Sequence, residues 1–329
     1  MTVLRAAVSL SALGLVAFFY WEQLPAVLQQ LARVEPLPFG LSLAAFFGGL
    51  VFLAVRLRLI LLAHRASITT RQVYHLNLVA LFFNNVLPSS LGGEAVKAYY
   101  LYRGTGGLLA SFGAVLMDRI CGLLTVVLVG SLSLALWAQD LASERIVRSL
   151  EVLAAVTVVA LLVLFNRTIS DWVHRARVPL LPPQVTAMLR DLFATIHFYR
   201  HRPLVLLGAV GLSVAGQFFF VLNIYYLAVS LGIAIPLTFF FAFLPICAVT
   251  GLAPSMNGVG VREATFIFFL HAYAPADQAL ALSLLTTVSL ILIGMAGGVA
   301  YALKGGGMAA QELQPAAVES CPADRPVSR

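Results

Sequence analysis

The chain is 329 residues long, 60% hydrophobic and 11% charged, with a net charge of +7 and a mean hydropathy of +0.94. Soluble domains carry about 25% charged and about 45–50% apolar residues, so this composition excludes a water-soluble globular protein and reads as an all-α polytopic membrane protein. The basic residues lie scattered between apolar runs, the pattern of a positive cytoplasmic face, which excludes a nucleic-acid partner.

A membrane-crossing helix needs about 20 apolar residues. Six segments reach or approach that length: 3–21, 39–62, 108–137, 147–165, 203–231 and 277–303. The first lacks a small-x-small cleavage site after Tyr20 and reads as a retained span, not a signal peptide. Two further apolar stretches, 72–103 and 236–273, are each split by a Pro-Ser-Gly break, at Pro88 and at Pro254. Each half is too short to cross alone, so both stretches are expected to be re-entrant hairpins. Gln184 to Arg200 carries apolar residues at helical spacing between arginines and histidines and is expected to lie on the inner membrane surface. From Gly305 to Arg329 the composition is that of a disordered cytoplasmic tail, leaving residues 1–304 as one membrane domain.

With the N-terminus in the cytoplasm, only Arg33, Arg145 and Arg148 fall outside, and Arg119 and Arg262 fall within the membrane. The remaining basic residues, Arg56 and Arg58 among them, fall inside. This asymmetry follows the positive-inside rule and puts the two hairpins on opposite sides. Residues 39–137 and 203–303 then form inverted copies of span, hairpin, span, a recurring transporter design whose site lies between the halves.

The two breaks read alike. Asn84-Asn85-Val-Leu-Pro-Ser89-Ser90-Leu-Gly92-Gly93-Glu94-Ala-Val-Lys97 is matched half a chain later by Pro254-Ser255-Met-Asn257-Gly258-Val-Gly260-Val-Arg262-Glu263. Ser89 or Ser90, and Ser255 or Asn257, are candidate helix N-caps. A half-helix N-terminus within the membrane presents N–H groups suited to an anion such as phosphate, and Gly92, Gly93, Gly258 and Gly260 would let a headgroup approach the backbone. Asn84, Asn85 and Asn257 offer donors and acceptors. Glu94, Lys97, Asp118, Arg119, Arg262 and Glu263 form a balanced set of embedded charges; such residues are costly and pair inside a bundle or line a wet cavity. Glu94 and Lys97 share a helical face. Asp118 or Arg119 is expected to pair across the two units with Arg262 or Glu263. The bland alternative is a set of staples closing a dry bundle.

Catalytic constellations and cofactor motifs are lacking. The chain has neither a phosphate-binding Gly-x-x-x-x-Gly-Lys-Ser/Thr loop nor a nucleophile elbow, and Gly258-Val-Gly260 lacks the third glycine of a dinucleotide fingerprint. His197 and His201 have zinc-like spacing but no partnering acid, so no metal is assigned. Cys121, Cys247 and Cys321 have no framework spacing and read as small hydrophobes.

The order Asn84-Asn85-x-Leu-Pro-Ser-Ser-Leu-Gly-Gly-Glu-Ala-x-Lys97, Met117-Asp118-Arg119-x-x-Gly122 and Pro254-Ser-x-Asn-Gly-x-Gly-x-Arg262-Glu263 resembles the lysylphosphatidylglycerol synthase membrane region, or flippase-like domain, over roughly residues 5–303. The resemblance implies a bacterial inner-membrane protein that moves lipid between leaflets. Bifunctional relatives add a cytoplasmic aminoacyltransferase domain, which this sequence lacks, so synthesis of a lysyl lipid is not expected.

The leading expectation is translocation of a phospholipid or lipid-linked headgroup, with membrane lipids as partners. The rivals are a scaffold for a lipid-, hopanoid- or glycolipid-synthesising enzyme, and a membrane-embedded transferase using Glu94 or Asp118. Gly294, Gly297 and Gly298 suit close packing of spans within one chain or in a homo-oligomer.

Overall fold

The computed structural model describes residues 24–64, 66, 68–86, 92–105, 108–137, 202–250 and 260–303, with isolated positions at 148, 151, 152, 155, 198 and 199. The expected spans 3–21 and most of 147–165, the surface helix before Phe198, the tail and both Pro-Ser breaks lie outside the described residues.

Among the described residues the regular structure is helical throughout: α1 (Leu24–Ala32), α2 (Pro36–Leu62), α3 (Thr70–Val86), α4 (Gly92–Thr105), α5 (Leu108–Trp137), α6 (Pro203–Ser230), α7 (Leu237–Thr250), α8 (Val261–Leu270) and α9 (Ala276–Leu303). Four of them, α2, α5, α6 and α9, are long and apolar enough to cross a membrane. Helices α2 and α6 open on Pro36 and Pro203, where a missing N–H costs nothing because the first turn has no intrahelical acceptor. The split stretches each resolve into two short helices, α3 with α4 and α7 with α8. The longest, α3, has 17 residues, or about 25 Å at 1.5 Å per residue, short of the roughly 30 Å hydrocarbon layer. Pro245 inside α7 removes one further rung from that helix.

Helices α2 and α6 make the most extensive contact of the fold, and they run antiparallel. Asn223 donates to the Ser42 carbonyl at 2.9 Å, Phe46 meets Phe220 edge-on at 5.2 Å, and Arg56 reaches Ser213. Small residues let the backbones approach: a side chain at Gly48 or Gly49 would run into the rings of Phe219 or Phe220. Water-driven burial is weak between helices in lipid, so such close packing supplies much of the association.

Two apolar cores sit at opposite ends of this pair. One joins the C-terminal half of α2 to α3, α4 and the start of α5, around Leu57, Leu61, Leu76, Leu101 and Tyr199. The other joins the C-terminal half of α6 to α7, α8 and the start of α9, around Phe239, Phe240, Phe243 and Phe266. The first arm of each short pair also crosses to the far unit: α3 packs on α9, and α7 packs on α5. The α3–α9 contact is tight because Gly297 faces the Leu78 carbonyl, Gly294 faces Asn85 and Gly298 faces the Phe82 ring. The glycine triplet therefore packs α9 against α3 within one chain.

Candidate functional site

The embedded charges lie on α4 and α5 in the first unit, joined by Arg56 of α2, and on α8 in the second. Glu94 is the third residue of α4 and Glu263 the third residue of α8. Both sit in a first turn, where an acid complements the positive end of the helix dipole.

In the first unit, Asn84 near the end of α3 accepts the Gly93 N–H at 2.7 Å, clipping α3 to α4. Gly93 lies so close to α3 that a Cβ would stand 2.2 Å from the Ala80 carbonyl. Its neighbour Gly92 begins α4 and is buried. Asn85 points the other way and donates to the Leu290 carbonyl of α9 at 3.0 Å. Glu94 Oε1 takes two cations, Lys97 Nζ at 3.5 Å and an Arg119 guanidinium nitrogen at 3.1 Å. Among the described residues Glu94 Oε2 and Arg119 Nε are buried without a hydrogen-bond partner. Lys97 is buried, whereas the Arg119 side chain is 40% exposed.

Asp118 lies one residue away but belongs to a separate contact. Its Oδ1 accepts Arg56 Nε at 2.7 Å, with both side chains 7% exposed. Arg56 also donates to Ser213 at 2.8 Å, and Ser213 donates to the Ala209 carbonyl. One buried ion pair thus ties α2, α5 and α6 together.

In the second unit, Gly260 precedes α8 with φ +84°, a left-handed conformation that favours glycine. Its N–H donates to Glu263 Oε2 at 2.5 Å. Glu263 Oε1 lies 3.6 Å from Arg262 and accepts Ser283 of α9 at 3.4 Å, while Arg262 also donates to Thr287. Glu263 is buried at 2% exposure. Ser89, Ser90, Ser255, Asn257 and Gly258 lie outside the described residues, so their expected capping roles do too.

One expectation changes. Asp118 and Arg119 pair with Arg56 and Glu94, not with Arg262 or Glu263. The reason is topological: α4 packs on α5 and α8 on α9, so each charged first turn reaches the last span of its own unit, while the first arms α3 and α7 are the ones that cross to the far unit. Arg56, expected on the inner side, is 6% exposed within α2 and is held by Asp118 and Ser213. The amides of Gly93 and Gly260 are bonded to Asn84 and Glu263, and α3 fills the space at Gly93.

The sequence holds one signal for Arg56. It stands seven residues after Gly49 and four before Ile60, both on the buried face of α2, whereas Arg58 turns away to the Ile68 carbonyl. Ser213, Ser283 and Thr287 carry no comparable signal, since hydroxyls in apolar helices usually bond their own backbone. Cys121 and Cys247 are free thiols.

The family model of the lysylphosphatidylglycerol synthase TM region matches residues 2–298, nearly the whole chain, and no curated protein matches the sequence. The chain belongs to this family and is an integral membrane protein.

Proposed function

We propose that this member of the lysylphosphatidylglycerol synthase TM region family translocates a phospholipid or lipid-linked headgroup between the leaflets of a bacterial inner membrane, with both termini in the cytoplasm. The observation that carries the reading is the matched placement of Glu94 and Glu263, each in the first turn of a short helix that follows a break in an apolar stretch. Buried charge within apolar helices is costly and usually marks a pathway for ions or substrate, and broken helices in corresponding positions of two units mark transporter sites.

In this reading the units 39–137 and 203–303 are inverted repeats, and α3–α4 and α7–α8 are re-entrant hairpins. The headgroup sits beside α4, α5 and α8 while the acyl chains stay in lipid. Arg119 and Lys97 bind its phosphate, Glu94 holds those bases between visits, and Arg262 with Glu263 forms the counterpart in the other unit. Rocking of one unit against the other exposes the site to each leaflet in turn. The closed Arg56–Asp118–Ser213 contact favours a second reading for that part alone: it is a staple that keeps α2, α5 and α6 rigid while the hairpins move.

The test is photocrosslinking of purified protein in vesicles with a phospholipid carrying a photoreactive headgroup. Translocation through this site predicts adducts on peptides from α4 and α5. Adducts confined to the ends of the spans would contradict it and favour a scaffold for a lipid-synthesising enzyme.

A further inference from the structure

Resting on the translocation reading, the bonds between helices sort them into two sets that move together. With no hydrophobic drive between helices in lipid, close packing and interhelical hydrogen bonds decide which of them stay joined. In the first set, Asn84 clips α3 to α4 through the Gly93 N–H, and Asn85 ties α3 to the Leu290 carbonyl of α9. Tyr100 of α4 shares a side-chain hydrogen bond with Tyr301 of α9. Ser283 and Thr287 of α9 hold Glu263 and Arg262 of α8. In the second set, Arg56 of α2 bonds Asp118 of α5 and Ser213 of α6, and Asn223 of α6 bonds the Ser42 carbonyl of α2.

The glycines draw the same boundary. Gly294 and Gly297 of α9 approach α3, within the first set. Gly49 of α2 meets α6, Gly216 of α6 meets α2, and Gly122 of α5 faces Arg56, within the second. The α3–α4 pair is thus fastened to α9, and α5 to α2 and α6.

Glu94 of α4 and Arg119 of α5, 3.1 Å apart, belong to different sets. Their contact has the character of one that opens. The Arg56 and Asp118 side chains are each 7% exposed, whereas Arg119 is 40% exposed and Glu94 17%. Ion pairs open to water are weak. Arg119 Nε and Glu94 Oε2 also lack hydrogen-bond partners among the described residues, so the closed contact leaves a donor and an acceptor unused. Opening strands neither charge: Lys97, one turn along α4, stays with Glu94, and Arg119 already reaches solvent.

We infer that the Glu94–Arg119 ion pair is a gate. Helices α3, α4, α8 and α9 move as one body and α2, α5 and α6 as another, and the path opens where α4 parts from α5.

The experiment is thiol labelling in lipid nanodiscs, where both membrane faces are reachable, and it does not depend on transport. Val115, one turn before Arg119 on α5, is 7% exposed; Cys121 is 1% exposed and lies beside the Arg56–Asp118 pair, inside the second set. One protein carries Val115→Cys as its sole thiol, with the three native cysteines replaced by alanine, and the other keeps Cys121 alone. Each is treated with a water-soluble maleimide, with and without Glu94→Gln or Arg119→Gln. Both substitutions are expected to speed labelling at position 115 about fivefold and to leave Cys121 slow. Unchanged labelling at position 115 overturns the gate, and so does faster labelling at both positions, which reports a loosened bundle. Gated labelling in a protein that moves no lipid in vesicles would uphold the two-body motion and sink translocation. Lipid exchange with labelling indifferent to Glu94 and Arg119 would do the reverse.

Discussion

Arg56 Nε lies 2.7 Å from Asp118 Oδ1 across 62 positions of sequence, and the same guanidinium bonds Ser213 of a third helix. Removing one partner of a buried pair strands the other charge in a low-dielectric interior, at about 3–5 kcal/mol. Arg56→Ala and Asp118→Ala are each expected to lower the melting temperature sharply in detergent. The double substitution Arg56→Met with Asp118→Leu is expected to recover most of the loss, because apolar residues of similar volume need no compensation. Melting curves of the three variants check this; a double variant as unstable as the singles would refute it.

The glycines of α9 make a steric prediction. A Cβ at Gly297 would stand 2.1 Å from the Leu78 carbonyl, whereas one at Gly40 meets nothing within 4 Å. Gly297→Ala must push α3 from α9, at a cost of about 1–3 kcal/mol for an overpacked contact. Gly40→Ala is expected to be neutral or slightly stabilising. Side-by-side thermal unfolding separates the two.

A third prediction concerns the second hairpin. Glu263 accepts the Gly260 N–H, balances Arg262 and receives Ser283. Glu263→Gln keeps an oxygen for the amide but removes the charge, and is expected to destabilise less than Glu263→Ala, which abandons all three partners. Both variants remove the charge, so a reversed order in melting temperature would show that the retained oxygen contributes nothing as a cap.

Acid stability follows from His64, just past the end of α2. Its ring stacks on Phe198 at 4.2 Å. Burial, assisted by the nearby Arg202 guanidinium, pushes its imidazole below the ordinary value of 6.5. A His whose folded pKa is depressed contributes stability that is present above the unfolded pKa and is lost as pH falls through the folded one. Melting temperature is therefore expected to drop as pH falls below 6.5, and His64→Phe, which keeps a stacked ring, should flatten that drop.

The long helices are legible in the sequence because nothing interrupts their apolar runs, and Pro36 and Pro203 mark where two of them start. The short helices are legible from their flanking breaks, and Glu94 with Lys97 from a spacing of three. Partner choice was harder to read. Which helix Asp118 faces depends on how α2, α5 and α6 cross, and adjacent residues such as Asp118 and Arg119 take partners on different helices. Arg56 is concealed by its position near the end of an apolar run, where arginines commonly mark the cytoplasmic boundary. The bonded amides of Gly93 and Gly260 were equally hidden: a glycine beside a break signals close approach, but not whether a ligand or a neighbouring helix fills the space.

The most direct test of translocation is transbilayer exchange in proteoliposomes. Phosphatidylglycerol labelled on an acyl chain is reconstituted with the purified protein, and a membrane-impermeant quencher reports the fraction of lipid reaching the outer leaflet over time. The account predicts exchange well above protein-free vesicles and its loss in Arg119→Ala, while Gly40→Ala exchanges as the wild type does. Exchange that persists undiminished in Arg119→Ala would contradict the proposed route through α4 and α5, and exchange no faster than in protein-free vesicles, with this lipid and with a polyprenyl phosphate monosaccharide alike, would contradict translocation itself.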